Sequence, residues 1–370
     1  MNKYRLLIAF CVSMSWGWYS CSLQNDSLSS GVDSSQANWN IPVNEIISGG
    51  VPKDGIPSLF DPEKISQSQA TYLQDSELVV GVVVDGQAYA YPHAILDWHE
   101  IVNEEYPAGK KKTVSFCPLT GSAIVFDGEN ANQKLTFGVS GLLYNNNLIM
   151  FDRQTNSHWP QMRLQCDNGS LRNVKQKIYP SFETNWGTWK KLCPNTLVLS
   201  TNTSYDRPYS QSGSAYPGYR SLNSPPLFRS AVSFLDDRLP PKQRVLGVIS
   251  NPESDTYITR AYVINPSMGI ELVNDQIDDK TVLVINDGVN NFTAAYSRSV
   301  NGQLLSFTLD ANVVEFPYTF KDEQTQSTWN VLGEATAGPL AGEKLEHMVS
   351  YVAYWFAWGV FHQGAEIHGR

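Results

Sequence analysis

Short runs of apolar residues, alternating with polar ones and broken by Gly, Pro, Asn and Asp, recur along most of this chain. Leu78–Val84, Thr113–Phe116, Ser122–Phe126, Val282–Ile285 and Thr293–Tyr296 follow this pattern. Period-two alternation over four to eight residues is the mark of a strand with one buried face. Asp85-Gly86 and Asn301-Gly302 have the residue types that two-residue hairpin turns need. A helix is expected near Trp186–Leu192, and the aromatic stretch Tyr351–His362 is expected to dock as a final strand or helix. At about 12 residues it is too short to span a bilayer.

The pattern repeats. Gly81-Val82-Val83 matches Gly247-Val248-Ile249, and Gln87-Ala88-Tyr89 matches Arg260-Ala261-Tyr262. Glu100-Ile101-Val102-Asn103 then matches Glu271-Leu272-Val273-Asn274, Thr113-Val114 matches Thr281-Val282, and Leu135-Thr136-Phe137 matches Leu305-Ser306-Phe307. Phe151-Asp152-Arg153 runs beside Phe320-Lys321-Asp322, and Ser157-His158-Trp159 beside Ser327-Thr328-Trp329. An ordered series of this length indicates an internal duplication. The expected fold is mainly β: a pseudo-symmetric, duplicated β-rich unit, sandwich or barrel-like, with few short helices.

The ends change the picture. Lys3 and Arg5 precede the apolar run Leu6–Val12, and Ser20-Cys21 follows. These are the charged and apolar regions of a signal peptide, and a small residue before Cys resembles a lipobox. The expected division is a signal peptide over 1–21 with Cys21 lipidated, and a tether over 22–47. A first β-rich repeat over 48–165 carries the site. A loop-rich connector spans 166–243, and a second, degenerate repeat spans 244–370. Residues 22–37 are rich in Ser, Asp, Asn and Gln, a composition that cannot bury enough apolar surface to fold. The protein is therefore expected to be exported to the cell envelope, with the membrane as partner through its lipid anchor. A net charge of −9 with no basic cluster argues against nucleic acid.

Of five cysteines, Cys117, Cys166 and Cys193 lie in the mature body. An odd count in an oxidising compartment leaves at least one thiol unpaired. Cys166 and Cys193 both fall in the connector and could bridge, which would leave Cys117. The duplication selects further candidates, since a specialised position can survive in one copy only. In the register above, His99 stands opposite Ile270, Cys117 opposite Ile285, and Gly138-Val139-Ser140-Gly141 opposite Thr308-Leu309-Asp310-Ala311. Glu100 and Asn103 persist as Glu271 and Asn274 and read as scaffold.

Three functions fit these residues. A thiolate with imidazoles is a soft ligand set suited to copper, with Cys117, His99 and His362 as ligands. A thiol-dependent enzyme would use Cys117 as nucleophile and His99 as base, with backbone donors near Gly138 and Gly141. The third is a non-catalytic scaffold or module binding a small molecule. Ser140, Asn145, Asp152 and Arg153 are the expected pocket residues. The plain alternatives are a buried core cysteine at Cys117 and a charged turn at Asp152-Arg153.

Several segments are long enough to be specific. Lys53-Asp54-Gly55-Ile56-Pro57, Trp98-His99-Glu100-Ile101-Val102-Asn103 and Phe116-Cys117-Pro118-Leu119-Thr120-Gly121-Ser122-Ala123 form the first group. Phe137–Leu148, Met150-Phe151-Asp152-Arg153, Leu239-Pro240-Pro241-Lys242 and Trp355-Phe356-Ala357-Trp358 continue it. Together they resemble the bacterial family of unknown function numbered 3179, from about Gly49 to the C-terminus. The resemblance implies an exported protein and carries no activity with it. Some family members have Cys-Pro-Leu-Cys where this chain has Thr120, which removes a dithiol or Cys-x-x-Cys metal reading here.

Overall fold

A computed structural model describes residues 38–130, 133–209, 215–254, 256–310 and 315–370. The proposed signal peptide, Cys21 and most of the tether lie outside the described residues. Strands make up 41% of the structure and helices 11%. The sheets do not close into a barrel. No helix among the described residues is long and apolar enough to cross a membrane.

The two copies follow the same order of elements. In the first, strands Leu78–Val84 and Gln87–Pro92 form a hairpin on the Asp85-Gly86 turn, both residues of which have positive φ. Helix α1 (His93–His99) leads into the meander Ile101–Tyr106, Lys110–Cys117 and Ser122–Asp127. A second sheet holds Phe137–Tyr144, Asn147–Asp152 and His158–Pro160. The copy closes inside the span 166–243: strand Phe182–Asn185 pairs with Leu78–Val84, helix α2 (Trp186–Leu192) follows, and Leu197–Leu199 pairs in parallel with Gln87–Pro92. The loop-rich part of that span begins after residue 199.

The second copy reproduces this as Arg244–Ile249 with Thr259–Val263, then Ile270–Ile277, Lys280–Asp287 and Phe292–Ser297. Phe307–Leu309, Thr319–Asp322 and Thr328–Asn330 come next. Strand Ser350–Tyr354, helix α3 (Trp355–Phe361) and strand Glu366–Ile367 finish it. The aromatic C-terminal run is thus a strand end followed by a helix.

Equivalent hydrogen bonds fix the register. Asn103 binds both backbone groups of Phe137, and Asn274 does the same to Phe307. Asp152 accepts from Thr155 N, Ser157 N and Trp159 Nε1, and Asp322 accepts from Thr325 N, Ser327 N and Trp329 Nε1. Asp152 therefore corresponds to Asp322, one residue on from the alignment read off the sequence. Asn103 pairs with Thr113 and Asn274 with Leu283, so Thr113 corresponds to Leu283. Counting on, Cys117 corresponds to Asp287, not Ile285. Likewise Gly81 pairs with Ala90 and Gly247 with Ala261, which sets Tyr89 opposite Arg260.

The cores are shared between copies. The tryptophans of α3, Trp355 and Trp358, pack with Phe137, Met150 and Trp159 of copy one. Reciprocally, Trp186 and Trp189 of α2 pack with Phe307, Phe320 and Trp329 of copy two. Each of these helices sits between its own copy's strands and the core of the other copy, so both cores are built from residues of the two copies together.

Candidate functional site

The copies differ between the hairpin and the meander. Copy one has His93-Ala94-Ile95-Leu96-Asp97-Trp98-His99-Glu100, and copy two has Ile264-Asn265-Pro266-Ser267-Met268-Gly269-Ile270-Glu271, of equal length. Copy one forms α1 here. Pro266 lacks an amide hydrogen and Gly269 favours an open backbone, so copy two makes a turn. Helix α1 buries Ile95 and Leu96 against Val80, Tyr91, Val102 and Val114. It ends on Glu100 at φ 57° and ψ −31°, a left-handed position uncommon for Glu.

This turn of helix carries buried chemistry. His93 and Asp97 are four residues apart, on one face of α1. The His93 ring packs on Phe116 with centroids 4.1 Å apart, and neither of its nitrogens has a hydrogen-bond partner. Burial first, and the guanidiniums of Arg220 and Arg244 next, hold its pKa well below the usual histidine range. Asp97 forms an ion pair with Arg220, whose guanidinium lies 5.9 Å from the Phe116 ring. Glu100 is buried at 6% exposure, and burial together with the Asp97 carboxylate pushes its pKa up to about 8. It is protonated at neutral pH. Glu271 is exposed on its strand. The residue kept in both copies thus has two different environments, and conservation between copies concealed that.

The Cys117-Pro118-Leu119-Thr120-Gly121 turn is clasped from two sides. Tyr219 Oη donates to Leu119 O at 2.8 Å and Lys242 Nζ to the same oxygen at 3.4 Å. The Lys242 ammonium lies 3.3 Å from the Tyr219 ring centroid, 4.6 Å from Phe356 and 4.8 Å from Tyr354. Burial pushes its pKa down to about 7. From copy two, Tyr354 N donates to Thr120 O at 2.9 Å. Gly121, at φ 58°, sits where a Cβ would be 2.7 Å from the Tyr354 ring.

Cys117 itself is 1% exposed and its thiol donates to Asn146 O at 3.6 Å. Burial, then the Glu100 carboxyl, raises its pKa. Its counterpart Asp287 caps the equivalent turn through Asn290 N and Asn290 Nδ2. Cys117, Cys166 and Cys193 are all free thiols, and the bridge between Cys166 and Cys193 does not form. Of the three described cysteines, half-buried Cys193 alone is expected to react with an aromatic disulfide reagent in the native protein at pH 8, and slowly, because burial pushes its thiol pKa up to about 11. Cys117 and Cys166, both buried, should react only after denaturation.

The other sequence candidates have separate partners. His99 donates from Nδ1 to Pro57 O at 2.7 Å, and its Nε2 accepts from Tyr209 Oη at 2.5 Å. His362 packs at a tilt on Trp358, ring centroids 4.1 Å apart, with Tyr351 and Tyr257 on its two nitrogens, and burial pushes its pKa down to about 3. No group of three or more His, Cys, Asp or Glu among the described residues is placed to hold a metal ion. Ser140 Oγ donates to Ile149 O and accepts from Leu142 N at the irregular step of its strand. Asn145 and Asn146, both at positive φ, bind Ser233 and Phe228 of the connector. Asp152 forms the turn it shares with Asp322, and Arg153 clamps Asp54 and Ser58.

A cleft of about 370 Å³ opens at α1, lined among others by Glu77, His93, Asp97, Tyr216 and Arg220. None of these was singled out from the sequence. His93 and Asp97 stand out once copy two is aligned through Asn103 and Asn274, because Ile264 and Met268 replace them. Lys242 lay within a noted motif, but nothing in its spacing marked it as buried. The comparisons add a family and no more. No curated protein and no solved structure matches the chain. The model for proteins of unknown function DUF3179 matches residues 53–365, which is most of the chain, and the chain belongs to that family.

Proposed function

We propose that this protein is an envelope-anchored binding module whose first copy holds a small polar molecule in the cleft beside α1, while the second copy serves as its structural counterpart. The observation that carries this reading is His93. It is a buried imidazole with both nitrogens unbonded, where the equivalent position of the same fold holds Ile264. A buried polar group without a partner is unfavourable, and a ligand that bonds it offsets that cost. Perturbed ionisable groups gathered around a cleft support a functional site.

The copper and thiol-enzyme readings draw less support. His99 and His362 have both nitrogens engaged, and the Cys117 thiol is held in its protonated form. Export and lipidation rest on the signal-peptide pattern and Cys21.

The test is equilibrium dialysis of the full mature chain against a small-molecule extract of bacterial envelopes, read by mass spectrometry. Ser76 is exposed at the rim of the cleft, so Ser76→Trp plugs it without touching the core. The expected result is a compound enriched by the wild type and not by Ser76→Trp. Equal retention by both, or none, contradicts the reading. Conversion of a compound instead of its retention would favour an enzyme.

A further inference from the structure

Most of the charge around the cleft is already paired within the protein. Asp97 is paired with Arg220, and Glu183 from the neighbouring strand is paired with Arg244 at 2.7 Å. Glu77 accepts the backbone N–H of Gln74 at 2.6 Å. An anion entering here meets the carboxylates of Glu77 and Asp97, and a cation meets Arg220. Glu77 forms no ion pair among the described residues, so an anion is repelled and a cation would gain Glu77 while facing the guanidinium of Arg220; an uncharged ligand meets neither repulsion.

The cleft wall also holds unused hydrogen-bonding capacity in His93, whose two nitrogens are closed off from solvent and are reached by a ligand only as the ring shifts. A neutral imidazole has one N–H donor and one acceptor nitrogen, and on His93 neither is used. A hydroxyl group is donor and acceptor in one atom, so adjacent hydroxyls can answer an imidazole, a carboxylate and a guanidinium together. Leu78, Ala94 and Pro217 line the same cleft and offer an apolar surface for C–H faces. Its volume of about 370 Å³ falls in the range of small-molecule sites.

We propose that the cleft beside α1 takes an uncharged polyhydroxylated ligand, a sugar or polyol, with a hydroxyl bonded to His93. This rests on the binding-module reading above. Recognition runs through hydrogen bonds to Asp97, Arg220 and His93, so binding depends little on ionic strength.

The experiment uses the full mature chain with glucose, N-acetylglucosamine and trehalose as probes, and inorganic phosphate and putrescine as charged controls. Binding is read by saturation-transfer NMR and calorimetry. At least one sugar should bind, with affinity changing less than about two-fold between low and high salt. Ser76→Trp should weaken that sugar by about ten-fold or more. The proposal is overturned if no sugar binds, if phosphate or putrescine binds in their place, or if Ser76→Trp leaves sugar binding unchanged. A charged compound retained in the dialysis experiment overturns the ligand class and leaves the site standing. Retention of nothing overturns both.

Discussion

Glu100→Gln should stabilise the protein at pH 8 by roughly 4 kcal/mol, as an order of magnitude, and flatten its stability against pH. Glu100 keeps its proton up to about pH 8 in the native state, whereas a model carboxyl loses it near 4.5. Between those values the native state binds more protons than the unfolded chain, so stability falls as pH rises. Each pH unit in that window removes about 1.4 kcal/mol. The contribution is whole below pH 4.5 and lost once pH passes 8. Gln keeps the shape and a donor while it removes the titration. Lys242 acts in a different window: its pKa is depressed to about 7, so its contribution is whole above about 10.5 and lost as pH falls through 7. The difference between wild type and Glu100→Gln isolates the carboxyl. Glu271→Gln is the internal control, because Glu271 is exposed, and it should change stability by less than about 0.5 kcal/mol. Urea unfolding at pH 5 and pH 8 measures both.

The second large effect lies in the shared cores. A Cβ on Gly247 would fall 2.1 Å from the Trp358 ring, and one on Gly81 would fall 2.4 Å from Trp189. Each Gly is the flat spot on a strand that lets a helix tryptophan lie against the backbone. Both indoles are fully buried and cannot swing into solvent. Gly247→Ala and Gly81→Ala should each destabilise by about 3 kcal/mol or more through overpacking. The two sites belong to separate clusters, so the double variant should add within about 0.5 kcal/mol. Gly269→Ala, with nothing within 4 Å of its Cβ, should be near neutral.

Much of this architecture was legible in the sequence. The strands came from alternation, and both hairpin turns have the positive φ that Asp85-Gly86 and Asn301-Gly302 suggested. Helix α2 and the duplicated order of elements also followed from pattern. The register did not. Tyr89 against Arg260 and Thr113 against Leu283 each required a two-residue shift from the first alignment. Strand side chains alternate with period two, so such a shift leaves the same residues facing the core and goes unseen in the pattern. Only tertiary hydrogen bonds such as those of Asn103 and Asn274 resolve it. That shift is why Cys117 was set against an apolar Ile and not against a turn-capping Asp. The site was harder still to read. His93 and Asp97 needed the copies aligned through α1. Arg220 and Lys242 come from the loop-rich span, where no periodicity tells a buried charge from a solvated one.

On the proposed function, the polar residues around α1 serve a site and not the fold. Exchanging the residue types at one equivalent pair measures this directly: His93→Ile in copy one and Ile264→His in copy two, compared by urea unfolding at pH 7. His93→Ile should keep or raise stability, by roughly 1–2 kcal/mol, because it removes an unbonded imidazole from an apolar wall. Ile264→His should lower stability by about 2 kcal/mol or more, because Ile264 is buried in an apolar cluster with Leu246, Val248 and Val284. A loss of stability in His93→Ile comparable to that in Ile264→His would make His93 a structural residue and contradict the claim.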